Sequence, residues 1–383
     1  MGAATAADLA DRLLSAVELP GRHLEGVKPG VMAVVTALAH EPDLSATGLE
    51  RALQMLGDDL RRLRAILDDR ARYAEIARVP VAKPIFILGL PRCGTSVLHA
   101  LMGCDPEVRT PLQWEVAAPS PPPDAATFDD DPRAAAFDAY VDREFVGKWA
   151  DVRKAHPIGA RIPQECGIML ETAFCGINPS MLFRVPSFFE WYLKADTTYG
   201  YEVHRMWLQQ LGWRNPRRYW VLKVQEHMYH LPELLRIYPD ALFIQPHRDP
   251  VTVMASISAL IRTLRSVSFD SQDATALGEE MLRSWHEGQV RMMAYRQANP
   301  TLRVYDMRYR DLAADPVGAV RSAYDYHGME LTAAAETGIR RWMAENPADK
   351  HGRHTYSLAD FGLTESRVRD VYADYIEAYR EYF

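Results

Sequence analysis

Residues 84–102 hold the feature that most constrains this chain. Ile85-Phe86-Ile87-Leu88 is a short continuous apolar run, the pattern of a strand buried on both faces of a parallel sheet. It leads into Gly89-Leu90-Pro91-Arg92-Cys93-Gly94-Thr95-Ser96, after which Val97 to Met102 resumes helical spacing. Strand, glycine loop and helix in direct succession make an anion site. The glycines let backbone N–H groups converge, and the helix adds its unsatisfied N-terminal donors and positive dipole end. Arg92 inside the loop can supply a forked, charge-assisted contact to a phosphate or sulfonate.

Gly89 and Gly94 have the spacing of a nucleotide-binding Walker A loop, yet Thr95-Ser96 stands where that loop carries lysine and a hydroxyl. No clear acidic strand end is present to hold Mg²⁺, so ATP hydrolysis is disfavoured. Further strands are expected at Tyr219–Lys223, at Ala241–Gln245 and at Leu302–Asp306, with a helix over His230–Tyr238. Strands alternating with helices predict an α/β fold: a doubly wound, mostly parallel sheet with a P-loop-like phosphate loop. Residues 5–18 and 46–76 show helical spacing, separated by a segment with Pro20, Gly21, Pro29 and Gly30. Residues 1–80 therefore form a helical N-terminal cap region, and 81–383 the α/β domain. Within the latter, 133–215 is a helical insertion rich in Met, Phe, Trp and Tyr, on the expected acceptor side.

Net charge is 44 − 51 = −7, which favours neither nucleic acid nor an anionic membrane as partner. The cysteines Cys93, Cys104, Cys166 and Cys175 fit neither a disulfide framework nor a zinc knuckle, so reduced thiols in a cytoplasmic protein and no metal site are expected. The first twenty residues lack the basic start and apolar core of a signal peptide, and no run suits a membrane span. The N-terminal helices suit a cap over the core or the surface of a homo-oligomer.

The segment LGLPRCGTSVLHALMGCDPEVRTPLQWE, residues 88–115, resembles the 5′-phosphosulfate loop of bacterial sulfotransferases that use 3′-phosphoadenosine 5′-phosphosulfate (PAPS). That family commonly reads PRSGTT, and here Cys93 and Ser96 replace the serine and the second threonine. The resemblance implies that Arg92, Cys93, Gly94, Thr95 and Ser96 bind the 5′ end of PAPS. Phe243 to Ser256 is similar to the family's 3′-phosphate element, with Arg248 at a strand end and Ser256 eight residues later. Arg308-Tyr309-Arg310-Asp311-Leu312 resembles the segment whose tyrosine, here Tyr309, lies near the adenine. Lys350 and Arg353 fall in a basic loop at the position of the family's late cofactor lid. The likeness runs in order from residue 84 to 363.

Sulfuryl transfer to a hydroxyl requires a base, positive charge on the SO₃ group and in-line placement, and no metal in principle. Lys223 is the expected cation. Cytosolic members of the superfamily carry a histidine two residues after this lysine, where this chain has Gln225, and His227 stands four residues on. Other branches use a glutamate downstream of the phosphate loop, and Trp114-Glu115 resembles that element. Glu115 is the expected base, with His227 the alternative. The aromatic insertion suits a small hydrophobic alcohol, phenol or lipid-like acceptor, with His156, Arg161 and Glu165 as unranked polar contacts. A catalytically silent nucleotide-binding scaffold of the same fold, or a P-loop kinase, are the competing readings.

Overall fold

The computed structural model describes residues 5–347 and 356–383. Five strands form one parallel sheet: β1 (Ile85–Ile87), β2 (Val108–Arg109), β3 (Tyr219–Lys223), β4 (Leu242–His247) and β5 (Val304–Arg308), in the order β2-β3-β1-β4-β5. Side chains alternate across the sheet. Ile85, Ile87, Val221 and Ile244 enter one apolar cluster, whereas Phe86, Leu88, Leu222 and Phe243 enter another on the opposite face. Both clusters are covered by helices, which is why these strands read as unbroken apolar runs. This is the doubly wound α/β fold.

Two features differ from expectation. β2 is two residues long at the sheet edge, too short to leave a periodic signal. Residues 21–39, read as a Pro/Gly-containing break, are a helix (Gly21–Ala39) with Pro29 inside it. The glycines explain how it fits. A Cβ at Gly30 would sit 2.3 Å from the Phe174 carbonyl oxygen, so the missing side chain is what lets this helix press against the insertion. Its Val27, Val31 and Val34 join Leu56, Leu60 and Leu63 of helix Ala46–Arg72 in the cluster that holds Phe86 and Leu222. The N-terminal helices thus share the main core.

Because the strands are parallel, the segments following β1, β3, β4 and β5 emerge at one edge. Strand order reverses at β1, and a crevice opens there beyond the strand ends, the usual ligand position in open α/β sheets.

Candidate active site

The loop after β1 is shaped by two left-handed glycines. Gly89 has φ 103°, and a Cβ there would lie 2.9 Å from the Pro246 carbonyl oxygen of β4. Gly94 has φ 82°, and a Cβ would lie 3.0 Å from Leu312 and 3.1 Å from the Tyr309 ring. Arg92 adopts φ 64° without being glycine, a conformation that costs on the order of 1 kcal/mol and persists because its surroundings hold it. Its Nε donates to Ser256 Oγ (3.1 Å), and its carbonyl oxygen accepts from Arg248 Nη1 (2.8 Å). The Arg248 guanidinium in turn lies 4.2 Å from the Tyr309 ring centroid. Residues from the ends of β1, β4 and β5 are so gathered round one cationic, donor-rich turn. The helix Thr95–Met102 begins at Gly94 and directs its free N–H groups the same way.

Lys223, the last residue of β3, reaches the front of this turn. Its Nζ donates to Ser96 Oγ (3.1 Å) and to Glu165 Oε1. The lysine is buried, whereas the Glu165 side chain keeps 33% of its surface exposed. Burial works to raise the Glu165 pKa, but Lys223, aided by His156, holds the carboxyl below its usual range. Gln225 donates through Nε2 to Thr95 Oγ1 (3.1 Å), so the side chain two residues after the lysine serves as a brace for the loop.

Three expected site residues are directed elsewhere. Glu115 is fully buried, and its Oε2 accepts from Arg109 Nη1 (2.9 Å) and from the Leu112 N–H (3.0 Å), with Arg109 Nη2 on Oε1. It caps the short helix Gln113–Ala117 and neutralises an arginine sandwiched near the Phe128 and Trp220 rings. With both oxygens engaged and no surface open, it does not reach the crevice. His227 is also fully buried, its Nδ1 paired with Tyr201 Oη (2.9 Å) and its Nε2 facing Cys166 Sγ (3.2 Å), and burial drives its pKa far below the ordinary imidazole value. Cys93 turns its thiol into the apolar core, where burial pushes it up to about 12; only its backbone is left for an anion. Lys350 and Arg353 lie outside the described residues.

A cavity of about 870 Å³ extends from the phosphate loop, lined by Arg92, Gly94, Thr95, Ser96, Arg248 and Tyr309 at one end. Glu165, His156 and Gln225 also line it, as do Trp342 and Asn346. These four side chains other than Gln225 escaped ranking in the sequence. Glu165 had one faint signal, a carboxylate in a loop just ahead of the apolar helix Gly167–Glu171. Its pairing comes from backbone contacts: the Gln164 N–H donates to the Pro111 carbonyl (2.8 Å) and the Cys166 N–H to the Lys223 carbonyl (3.1 Å).

A phosphate-loop α/β fold with a buried lysine and a carboxylate at its mouth defines the class, and comparison names it. Residues 84–333 match the Sulfotransferase family, to which this chain belongs. The chain is an enzyme of that family, a sulfotransferase. Among solved structures it resembles sulfotransferase STF9 from Mycobacterium avium, at 26% identity and TM-score 0.87, over 98% of this chain and 96% of that one. It also resembles sulfotransferase STF1 from Mycobacterium tuberculosis H37Rv, at 28% identity and TM-score 0.84, over 97% and 99%. Among curated proteins it is 27% identical over 309 residues to the omega-hydroxy-beta-dihydromenaquinone-9 sulfotransferase Stf3 of Mycobacterium bovis, covering 75% of this chain and 74% of that protein. Among the described residues, no helix is long and apolar enough to cross a membrane.

Proposed function

We propose that the enzyme moves a sulfuryl group from PAPS to the hydroxyl of an elongated, largely apolar alcohol or phenol, with Glu165 as the general base. The observation that carries this reading is Lys223 Nζ held between Ser96 of the phosphate loop and Glu165 at the cavity mouth. A cation there touches both the group that leaves and the group that accepts a proton. Thr95, Ser96 and the loop N–H groups would hold the 5′-phosphosulfate, and Arg92, Arg248 and Ser256 the 3′-phosphate. PAPS supplies the sulfuryl group and a stable bisphosphate leaving group.

The acceptor hydroxyl gives its proton to the Glu165 carboxylate while its oxygen forms the new S–O bond. The S–O bond to the 5′-phosphate breaks, and adenosine 3′,5′-bisphosphate leaves with the electron pair. As charge grows on that leaving oxygen, Lys223 shifts toward it and loosens its hold on Glu165. The carboxyl pKa then rises as it must accept a proton, so one lysine couples leaving-group stabilisation to base strength. Support for an apolar acceptor comes from the far wall of the cavity, made by Ile257, Leu260, Ile261 and Leu264 along one face of helix Pro250–Arg265. The relative Stf3, named for an omega-hydroxy dihydromenaquinone, acts on an acceptor of that character.

The test is transfer of labelled sulfate from PAPS to a panel of long-chain alcohols and phenols, beside calorimetric titration of adenosine 3′,5′-bisphosphate without Mg²⁺. Transfer to apolar acceptors and metal-independent binding are expected. Binding of ATP that depends on Mg²⁺, or binding of the bisphosphate with no transfer to any acceptor, would overturn the reading.

A further inference from the structure

The end of the cavity away from the phosphate loop is largely apolar. Met181, Leu182, Ile257, Leu260, Ile261 and Leu264 wall it, and Glu226 and Trp285 interrupt them. Glu226 sits three residues beyond Lys223, in the 3₁₀ turn Gln225–Tyr229, and is only 1% exposed. Its Oε2 accepts from the Ile177 N–H (2.7 Å), which pins the insertion to the end of β3. Among the described residues its Oε1 has no partner, and neither has the indole Nε1 of the buried Trp285. Buried polar atoms are almost always paired, because an unpaired one forfeits its bonds to water. Here two orphans, one on an acid and one on an indole N–H, line the same chamber.

A purely structural role for Glu226 would use Oε2 and leave Oε1 pointless. Gly167, which also lines the cavity, packs directly against this second oxygen, where a Cβ would lie 2.9 Å from it. Glu171, the other acid on this wall, is by contrast held by Asn178 Nδ2 at 3.1 Å. From these contacts the geometry points to a polar anchor: Glu226, with Trp285, binds an oxygen function of the acceptor remote from the hydroxyl that is sulfated. This rests on the sulfotransferase reading above and narrows its substrate class to elongated apolar molecules with oxygen at both ends. Burial pushes the Glu226 carboxyl up to about 8 against the pull of the Ile177 N–H, with Glu165 adding to the rise. Near neutral pH the carboxyl therefore carries a proton and donates to a carbonyl or hydroxyl oxygen, and the indole N–H donates to the same kind of atom.

The anchor is tested by binding and the transferase reading by turnover, so that the two can fail separately. Dissociation constants are measured by calorimetry, on the full chain saturated with adenosine 3′,5′-bisphosphate, for α,ω-alkanediols of six to twelve carbons and the matching mono-alcohols. The ratio of mono-alcohol to diol constants cancels the apolar contribution of the chain. For at least one chain length this ratio is expected to fall about tenfold in Glu226→Leu, and to stay within about twofold of wild type in Glu226→Gln, whose amide can both accept from Ile177 and donate to the ligand. In Trp285→Phe it is expected to fall about threefold. Binding of the bisphosphate reports that each variant is folded. Equal ratios in wild type and Glu226→Leu at every chain length, no binding of any diol by the wild type, or loss of the ratio in Glu226→Gln as well, would overturn the anchor. A ratio that behaves as expected without sulfate transfer would overturn the transferase reading and leave the anchor standing.

Discussion

Arg109–Glu115 and Lys223–Glu165 are both carboxylate–cation pairs at strand ends, and the sequence resemblance points to Glu115 of the first pair as the base. Their surroundings differ. Glu115 spends both oxygens on Arg109 and a helix cap and exposes none of its surface. Arg109 is saturated in its turn by the carbonyls of Thr110, Leu211 and Asn215. Lys223 instead spans to Ser96 of the phosphate loop, and Glu165 keeps a third of its side chain open to the cavity. A closed pair fixes the chain; an open pair has bonding capacity left for a substrate. Access and unspent hydrogen bonds separate the two ion pairs, where residue type does not.

That contrast can be broken by mutation. Glu165→Gln is expected to lower kcat by about 10²- to 10⁴-fold while the dissociation constant of adenosine 3′,5′-bisphosphate moves less than about threefold; an unchanged kcat removes Glu165 from the role of base. Lys223→Met should cost about 10²- to 10³-fold in kcat, measured under saturating PAPS. In the closed pair the loss is in stability instead. Glu115→Gln strands a buried guanidinium and should lower unfolding free energy by about 3 kcal/mol in urea titration, with kcat per folded molecule near wild type. A large kcat defect in fully folded Glu115→Gln protein would restore the base role to that residue. Arg248→Ala, which removes a charge-assisted contact, should weaken bisphosphate binding about ten- to a hundredfold by calorimetry.

The smallest effect is the shape of the pH profile. Burial raises the Glu165 pKa but Lys223 outweighs it, so the carboxyl lies below the ordinary value of 4.5 and the base is ionised above that pH. Activity is then expected to stay level as pH falls from about 7 to 5 and to decline only below the usual glutamate range. A decline centred above the glutamate range would implicate a histidine, and His156 at the cavity wall, whose imidazole burial holds below its ordinary 6.5, would be the first to examine.

How much could be read in advance followed from how local each feature is. Arg248 and Ser256 lie on one strand–helix unit, and both hydrogen-bond Arg92 of the loop. Cys93 belongs to the loop motif, but the direction of its thiol depends on core packing that the motif does not encode. Gln225 stands where other branches carry a histidine, and its contact with Thr95 forms only with the loop and β3 side by side. Residues 21–39 misled because Pro and Gly signal breaks locally, and the packing of Gly30 on Phe174 outweighed that preference.

By itself the sequence determined the sheet and the glycine loop that follows β1. Buried parallel strands must be apolar throughout, and a turn with left-handed residues against a neighbouring strand calls for glycine at Gly89 and Gly94; both are constraints within a few residues of chain. The remainder of the cavity was decided by tertiary structure alone. Glu165 meets Lys223 because residues 162–166 are held between Pro111 and the end of β3 by backbone hydrogen bonds. Glu226 and Trp285 face one chamber from two distant segments. Such contacts join residues tens of positions apart through backbone groups common to every amino acid, and therefore leave no mark in the order of side chains.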